Sequence, residues 1–307
     1  MKNNTFSALP IKYSKKKLRE TVYGWLFCSP YVIFCIVLFL IPLIWALWLS
    51  TMDWNLMSAK KTFVGLDNFK TIFSDKEVIA AFTNSLKYFL FVVTFSVAGG
   101  VIIALLVNRL PKKLKGLASV LFFIPYLTSG VAASVMVRYM FSYDSILNNT
   151  LRNYLGIDIN WFANKKAAFA VIVIMVVWKL SGYYALFMSA AIQGISEDVK
   201  EAAALDGSKG LHQLLHITLP MTLSTLTTII ILATGTSLSI YTEPFLLTEG
   251  GPANATTTWT LELYIRAFTK FDSGYGAAMA IVFAIQIFII LRLINAGMGK
   301  LHSKYGL

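Results

Sequence analysis

The chain has 307 residues, 57% of them hydrophobic and 14% charged, with a formal net charge of +12. Water-soluble domains are roughly half apolar and a quarter charged, so this balance marks a membrane protein. The basic residues form no aromatic-interleaved patch but flank apolar runs, as in KYSKKKLRE and NRLPKKLKG, which argues against nucleic acid as a partner.

A bilayer core takes about 20 apolar residues in a helix. Stretches at 23 to 50, 84 to 107, 117 to 141, 167 to 192, 218 to 241 and 276 to 297 meet that length. They are continuous rather than alternating, which excludes a closed barrel and predicts an all-α membrane protein of six transmembrane helices. The first run follows Lys2, Lys12, Lys15, Lys16, Lys17 and Arg19. It is too long for the apolar part of a signal peptide and lacks a small-residue cleavage pattern, so it reads as a retained anchor. Cys28 and Cys35 both fall within it, where packing is the ordinary use of the thiol.

Arg109, Lys112, Lys113 and Lys115 crowd the short connection after the second span. The positive-inside rule puts that connection and the N-terminus in the cytoplasm, and six crossings bring the C-terminus, with Lys300 and Lys304, to the same side. The division expected is a cytoplasmic segment 1 to 22, a six-helix body 23 to 297 and a cytoplasmic tail 298 to 307. Segments 51 to 83, 142 to 166 and 242 to 275 then lie outside, with Trp54, Trp161 and Trp259 as interfacial anchors.

In span four, Lys179 is costly in lipid. Either it pairs with an acid or with carbonyls, or it faces a translocation cavity where Trp178 and Tyr183 stack on a solute, with Tyr184 beside them. Between spans four and five, Ser196 precedes Glu197 and Asp198 as a helix cap and acidic first turn. Val199, Ala202, Ala203 and Asp206 recur at helical spacing, and Gly207 is the left-handed stop. Leu211, Leu214, Leu215 and Thr218 make a second short amphipathic face, and Pro220 disfavours helix at Leu219. Residues 196 to 220 are thus a protruding helix-turn-helix on the cytoplasmic side, against the alternative of a solvated loop.

Span five is interrupted by Thr234, Gly235, Thr236, Ser237 and Ser239, followed by Tyr241 and Glu243; hydroxyls in spans serve either packing or a polar path. Gly250, Gly251 and Pro252 make a tight turn in the last outside segment. His212 and His216 lack the intervening glutamate of a metalloprotease site. GSKG at 207 to 210 lacks the spacing of a phosphate-wrapping loop, so this chain does not hydrolyse ATP.

The run Glu201-Ala202-Ala203, then Asp206-Gly207, then Ile217-x-Leu219-Pro220 resembles the EAA motif of permease subunits of bacterial ABC importers, with Ser208 where that family often has alanine. FVGLDNF at 63 to 69, the third span, and LLTEGGPANATTT at 246 to 258 are similar to the carbohydrate branch, the maltose-type permeases. The resemblance implies that Glu201, Ala202, Ala203, Asp206, Gly207, Ile217, Leu219 and Pro220 form the coupling segment that meets a separate ATPase, which would hold ATP and magnesium. It implies solute contacts from spans four and five, favouring Tyr183, Thr236 and Ser237 among Trp178, Lys179, Tyr184, Tyr241 and Glu243. It also implies that Glu249, Gly250, Gly251 and Pro252 face an extracytoplasmic solute-binding protein.

The expected function is therefore a plasma-membrane permease subunit moving a carbohydrate, such as an oligosaccharide, by alternating access, with no cofactor in this chain. Its expected partners are a second homologous permease, giving a heterodimer, two ATPase subunits and the binding protein. The alternatives are a permease for a polyamine, phosphate ester or oxyanion, and an ion-coupled secondary transporter, against which the near absence of span acids argues.

Overall fold

The computed structural model describes residues 15 to 305. Lys2, Lys12 and the rest of the N-terminal segment before Lys15, with the last two residues of the tail, lie outside the described residues. Helix α1 (Lys15–Cys35), a π-helical turn (Ile36–Leu40) and α2 (Ile41–Leu49) follow one another as the first span. Its apolar window has no buried residue, so lipid or another chain must cover it. The π turn precedes Pro42, and the Ile41 N–H reaches the Ile36 carbonyl. Widening the turn there moves a carbonyl away from the proline ring, which carries no N–H to satisfy it.

A short antiparallel hairpin, β1 (Met52–Asp53) and β2 (Thr62–Phe63), follows with Met52 opposite Phe63. Asn68, in α3 (Asp67–Ile72), ties it to the membrane edge by donating to the Ser50 and Met52 carbonyls, each at 2.9 Å. Helix α4 (Lys76–Arg109) is capped by the Asp75 carboxylate, which accepts from the Glu77 and Val78 N–H groups.

The expected third span, 117 to 141, is not one helix. Helix α5 (Lys112–Leu127) and α6 (Gly130–Met140) meet at 91°. Thr128 and Ser129 between them are extended. A hydropathy window averages over the Thr-Ser-Gly triplet, so it passes over the break although these residues are poor helix formers. Helix α7 (Ile146–Leu155) lies outside the span region and ends at left-handed Gly156. Helix α8 (Lys165–Gln193) runs through the centre of the bundle against α4. A Cβ on Gly100 would sit 2.8 Å from the Tyr184 Cβ, and one on Gly182 would collide with the Phe122 carbonyl, so α4, α8 and α5 touch backbone to backbone.

After α8 come α9 (Glu197–Leu205), α10 (Gly210–Gln213), a second π turn (Leu214–Thr218) and α11 (Leu219–Met221). Leu219 is helical, contrary to the expectation from Pro220. The π turn carries the Leu219 N–H to the Leu214 carbonyl, the device already seen before Pro42. Span five opens with α12 (Leu223–Leu238) and continues to Thr248, starting later than the expected 218 because Thr222 breaks the run. Helices α13 (Thr242–Thr248) and α14 (Trp259–Tyr264), a π turn (Ile265–Thr269) and α15 (Ser273–Tyr305) complete the described chain. Among the described residues five helical stretches are long and apolar enough to cross a membrane, and six if the bent α5–α6 pair counts as one span.

Trp259 is no interfacial anchor. It is 2% exposed in a small core with Ile72, Val78, Tyr275 and Met279, and its indole N–H donates to the Met279 carbonyl at 3.1 Å. Its ring removes too much apolar area from water to stay at a surface when α4, α14 and α15 converge there.

Candidate functional site

Three groups of residues singled out by sequence occupy three levels of the bundle. At the end of α8 the coupling segment leaves the span. The Ser196 carbonyl accepts from the Lys200 N–H, opening α9. Gly207 has φ +73°, and the Ser208 N–H reaches back to the Ala203 carbonyl at 2.9 Å, the six-to-one bond of a Schellman stop. This locks the end of α9 without help from side chains. Ala203 is 5% exposed and Val199 half-buried, so these two face the bundle. Glu201, Ala202, Leu205, Asp206 and Gly207 are exposed, Leu205 to 89%. The expected single face is therefore split: Ala202 and Asp206 belong to the outward side, because a close contact with the bundle takes only one narrow strip of a two-turn helix.

The second short helix also turns out differently from expectation. Leu211 and Leu215 are exposed, whereas Leu214 and Thr218 turn inward with Ile217. The inward residues Gln213, Leu214, Ile217 and Thr218 alternate with the outward Leu211, His212, Leu215 and His216 at helical spacing, so the buried face is turned away from the expected one. Leu219 and Pro220 are half-buried. His212 and His216 stack at 4.3 Å, and their Nδ1 atoms contact the Ser208 hydroxyl and the His212 carbonyl. Among the described residues no cluster has the composition of a metal site.

At mid-bundle a cavity of about 200 Å³ collects Tyr126, Lys179, Thr236, Tyr241 and Glu243. Lys179 Nζ lies 3.7 Å from Glu243 Oε1, with both side chains about one-seventh exposed (14% and 13%). The pair joins α8 to the first turn of α13, beside the break between α5 and α6, since a Cβ on Gly130 would lie 3.6 Å from Lys179 Nζ. Lys179 thus has an acid partner and also lies on a cavity wall. Tyr183 stacks flat on Tyr126, with centroids 4.1 Å apart and planes at 5°. Tyr241 stacks on Phe245 and leans on Tyr264. The site therefore offers aromatic faces, hydroxyls and a charge pair of zero net charge.

Other candidates lie elsewhere. Trp178 is 44% exposed and turned into an apolar groove of about 740 Å³ with Phe91, Phe95 and Phe169, on another face of α8. Tyr184 is 1% exposed within the main core. Ser237 is 1% exposed and donates to the Thr234 carbonyl, a packing role. Tyr126 was missed by sequence reading, although Pro125 and the Thr-Ser-Gly break beside it carried the signal.

On the outside, the turn after α13 folds back on itself. Glu249 and Gly250 take positive φ values of 52° and 85°. Thr257 Oγ1 donates to the Gly250 carbonyl at 3.0 Å and Thr256 Oγ1 to the Gly251 carbonyl at 2.8 Å. Asn84 of α4 donates to the Asn254 and Thr257 carbonyls, pinning the turn to span two. Gly250 is buried, Gly251 and Pro252 half-buried, and Glu249, Ala253 and Asn254 form the exposed tip. A charge network supports this level: Arg266 bonds Asp75 at 2.8 Å, Glu77 at 2.7 Å and Glu262 at 2.7 Å.

Residues 96–298 match the model of the family described as binding-protein-dependent transport system inner membrane component. A probable ABC transporter permease protein of Bacillus subtilis, YurN, is 30% identical over 87% of this chain and 92% of its own length. The lactose transport system permease protein LacF of Rhizobium radiobacter is 30% identical over 90% of this chain and 94% of its own. The diacetylchitobiose uptake system permease protein NgcF of Streptomyces coelicolor is 31% identical over 90% and 83%. A solved bacterial ABC transporter for import of the acidic polysaccharide alginate superposes with a TM-score of 0.80 at 21% identity, over 93% of this chain and 99% of that one, a likeness of fold.

Proposed function

We propose that this chain, which belongs to the family of binding-protein-dependent transport system inner membrane components, is the permease subunit of an ATP-binding-cassette importer for a carbohydrate. It would sit in the plasma membrane with its termini and α9 in the cytoplasm. Its assembly would comprise a second homologous permease, two ATPase subunits carrying ATP and magnesium, and an extracytoplasmic solute-binding protein. The observation that carries the reading is α9, a two-turn helix with its stop fixed by Gly207 and its outer side made of Glu201, Ala202, Leu205 and Asp206. A short rigid helix of that kind transmits displacement from a partner to α8 without absorbing it in loop motion. Relatives named for lactose and diacetylchitobiose transport support a sugar as solute.

The mid-bundle cavity gives the solute reading its chemistry. Stacked Tyr126 and Tyr183 offer a ring face to a pyranose, and Thr236 and Tyr241 offer hydroxyls. Lys179 is neutralised by Glu243, which favours a neutral sugar over a polyanion. In the mechanism, ATP binding closes the partner ATPases, α9 moves with them, and the bundle exchanges an inward-open for an outward-open cavity. Such work requires each partner to prefer one of the two states.

Reconstituted in vesicles with its partner subunits and loaded binding protein, the complex should take up a labelled neutral oligosaccharide when ATP is inside and ion gradients are collapsed. Uptake that persists without ATP and stops with the gradient would identify a secondary transporter instead.

A further inference from the structure

We propose that the bundle carries, behind α9, a binding site for the headgroup of an anionic phospholipid. A cavity of about 400 Å³ opens between the ends of α4 and α8, the start of α9, and the stretch from α10 through the π turn. Leu105, Ile192, Leu214 and Ile217 make an apolar wall, and Arg109 and Lys200 supply cations; no carboxylate lines it. Lys200 already bonds Glu197 at 2.9 Å on its own helix, but with three ammonium protons it retains donors for a ligand. Arg109 makes no ion pair among the described residues.

Charge and position select the occupant. The cavity lies at the ends of two membrane-spanning helices, on the side proposed as cytoplasmic, where basic pockets between spans match the phosphate of inner-leaflet lipids. Leu211 and Leu215, exposed to 68% and 47%, project from the short segment at its mouth. Such leucines suit a segment lying at the headgroup boundary, which gives acyl chains a path from the cavity into the bilayer. A soluble anion would leave the apolar wall and these leucines without a partner. Occupancy would bridge Arg109 on α4 to Lys200 on α9, so the lipid would brace the element assigned above to coupling. That consequence rests on the importer reading, whereas lipid binding itself does not.

The test is retention of phosphatidylglycerol against phosphatidylcholine by the purified assembly, counted by native mass spectrometry, with thermal unfolding in nanodiscs of each lipid. Wild type should retain phosphatidylglycerol preferentially and melt higher in it. At about 1 kcal/mol per basic contact, Arg109→Gln should weaken retention roughly fivefold and Arg109→Gln with Lys200→Gln about thirtyfold. Lys304→Gln, a basic residue elsewhere on the same side, should change nothing. Unchanged retention in the double variant would overturn the site. An equal rise in melting temperature from inorganic phosphate in pure phosphatidylcholine would overturn the lipid assignment. Neither readout uses transport, so failure here and failure of the importer reading are distinguishable.

Discussion

Lys179 and Glu243 are the residues whose placement says most about the path. A charge within a span is tolerated when paired, and removing one member leaves the other desolvated, at a cost of about 3–5 kcal/mol. Lys179→Met should therefore destabilise the bundle by that order, and adding Glu243→Leu should restore most of the loss. Thermal unfolding of the two single variants and the double variant measures the coupling; additive losses would show that the 3.7 Å separation carries no interaction. Arg266 is a second such hub, since its loss strands Asp75 and Glu262, at 16% and 6% side-chain exposure. Arg266→Met should lower stability by about 3 kcal/mol or more, read in the same assay. Burial pushes the Asp272 carboxyl above its usual range, with Asp53 adding to the rise. Its ionisation thus opposes folding: the stability associated with it is complete below the unfolded carboxylate value and is lost as pH rises through the folded one. Asp272→Asn should match wild type in acid and melt higher at neutral pH; an equal offset at both pH values would contradict the assignment. Lys179 was legible from sequence because a charge in an apolar run stands out. Its acid, 64 positions away by number, belongs to another element, and no local pattern linked the two.

Elements were legible where composition was uniform and illegible where a few residues changed the backbone. Continuous apolar runs revealed the crossings in spans one, two, four and six. The right angle between α5 and α6 turns on Thr128 and Ser129, too short a stretch to alter a hydropathy average. The π turn before Pro220 keeps Leu219 helical where a break was expected, and the buried face of the segment carries Leu214 and Thr218 while Leu211 and Leu215 point outward. Trp259 looked interfacial by residue type, but burial depends on three helices that sequence does not bring together. Glycine at helix contacts is the strictest requirement at this scale. Gly182→Ala should force α5 and α8 apart and cost about 1–3 kcal/mol, because the added carbon meets the Phe122 carbonyl rather than a movable side chain. Gly235→Ala, where nothing lies within 4 Å, is the matched control and should not destabilise. Equal melting temperatures for the two variants would remove the close-approach argument.

For the molecule as a whole, the proposed importer uses one helix, α9, as a lever. In the proposed mechanism motion of α9 enters the bundle through its inward residues Val199 and Ala203, and α8 carries Lys179 on the cavity wall, with Tyr183 stacked on Tyr126 beside it. The outside turn at 249 to 254 is held to α4 by Asn84, which connects the opposite surface to the same bundle. Glu201→Lys or Gly207→Val should leave membrane insertion intact and abolish solute-stimulated ATP hydrolysis. The first reverses charge on the outer side; the second places a β-branched residue at φ +73° and removes the helix stop. The central claim is tested most directly by site-directed crosslinking from Leu205→Cys, a position 89% exposed at the end of α9, in the assembled complex with and without ATP. The account predicts a crosslink to the nucleotide-hydrolysing subunit whose yield changes with nucleotide. A Leu205→Cys that labels only from outside the cell, or that never reaches that subunit, would contradict it.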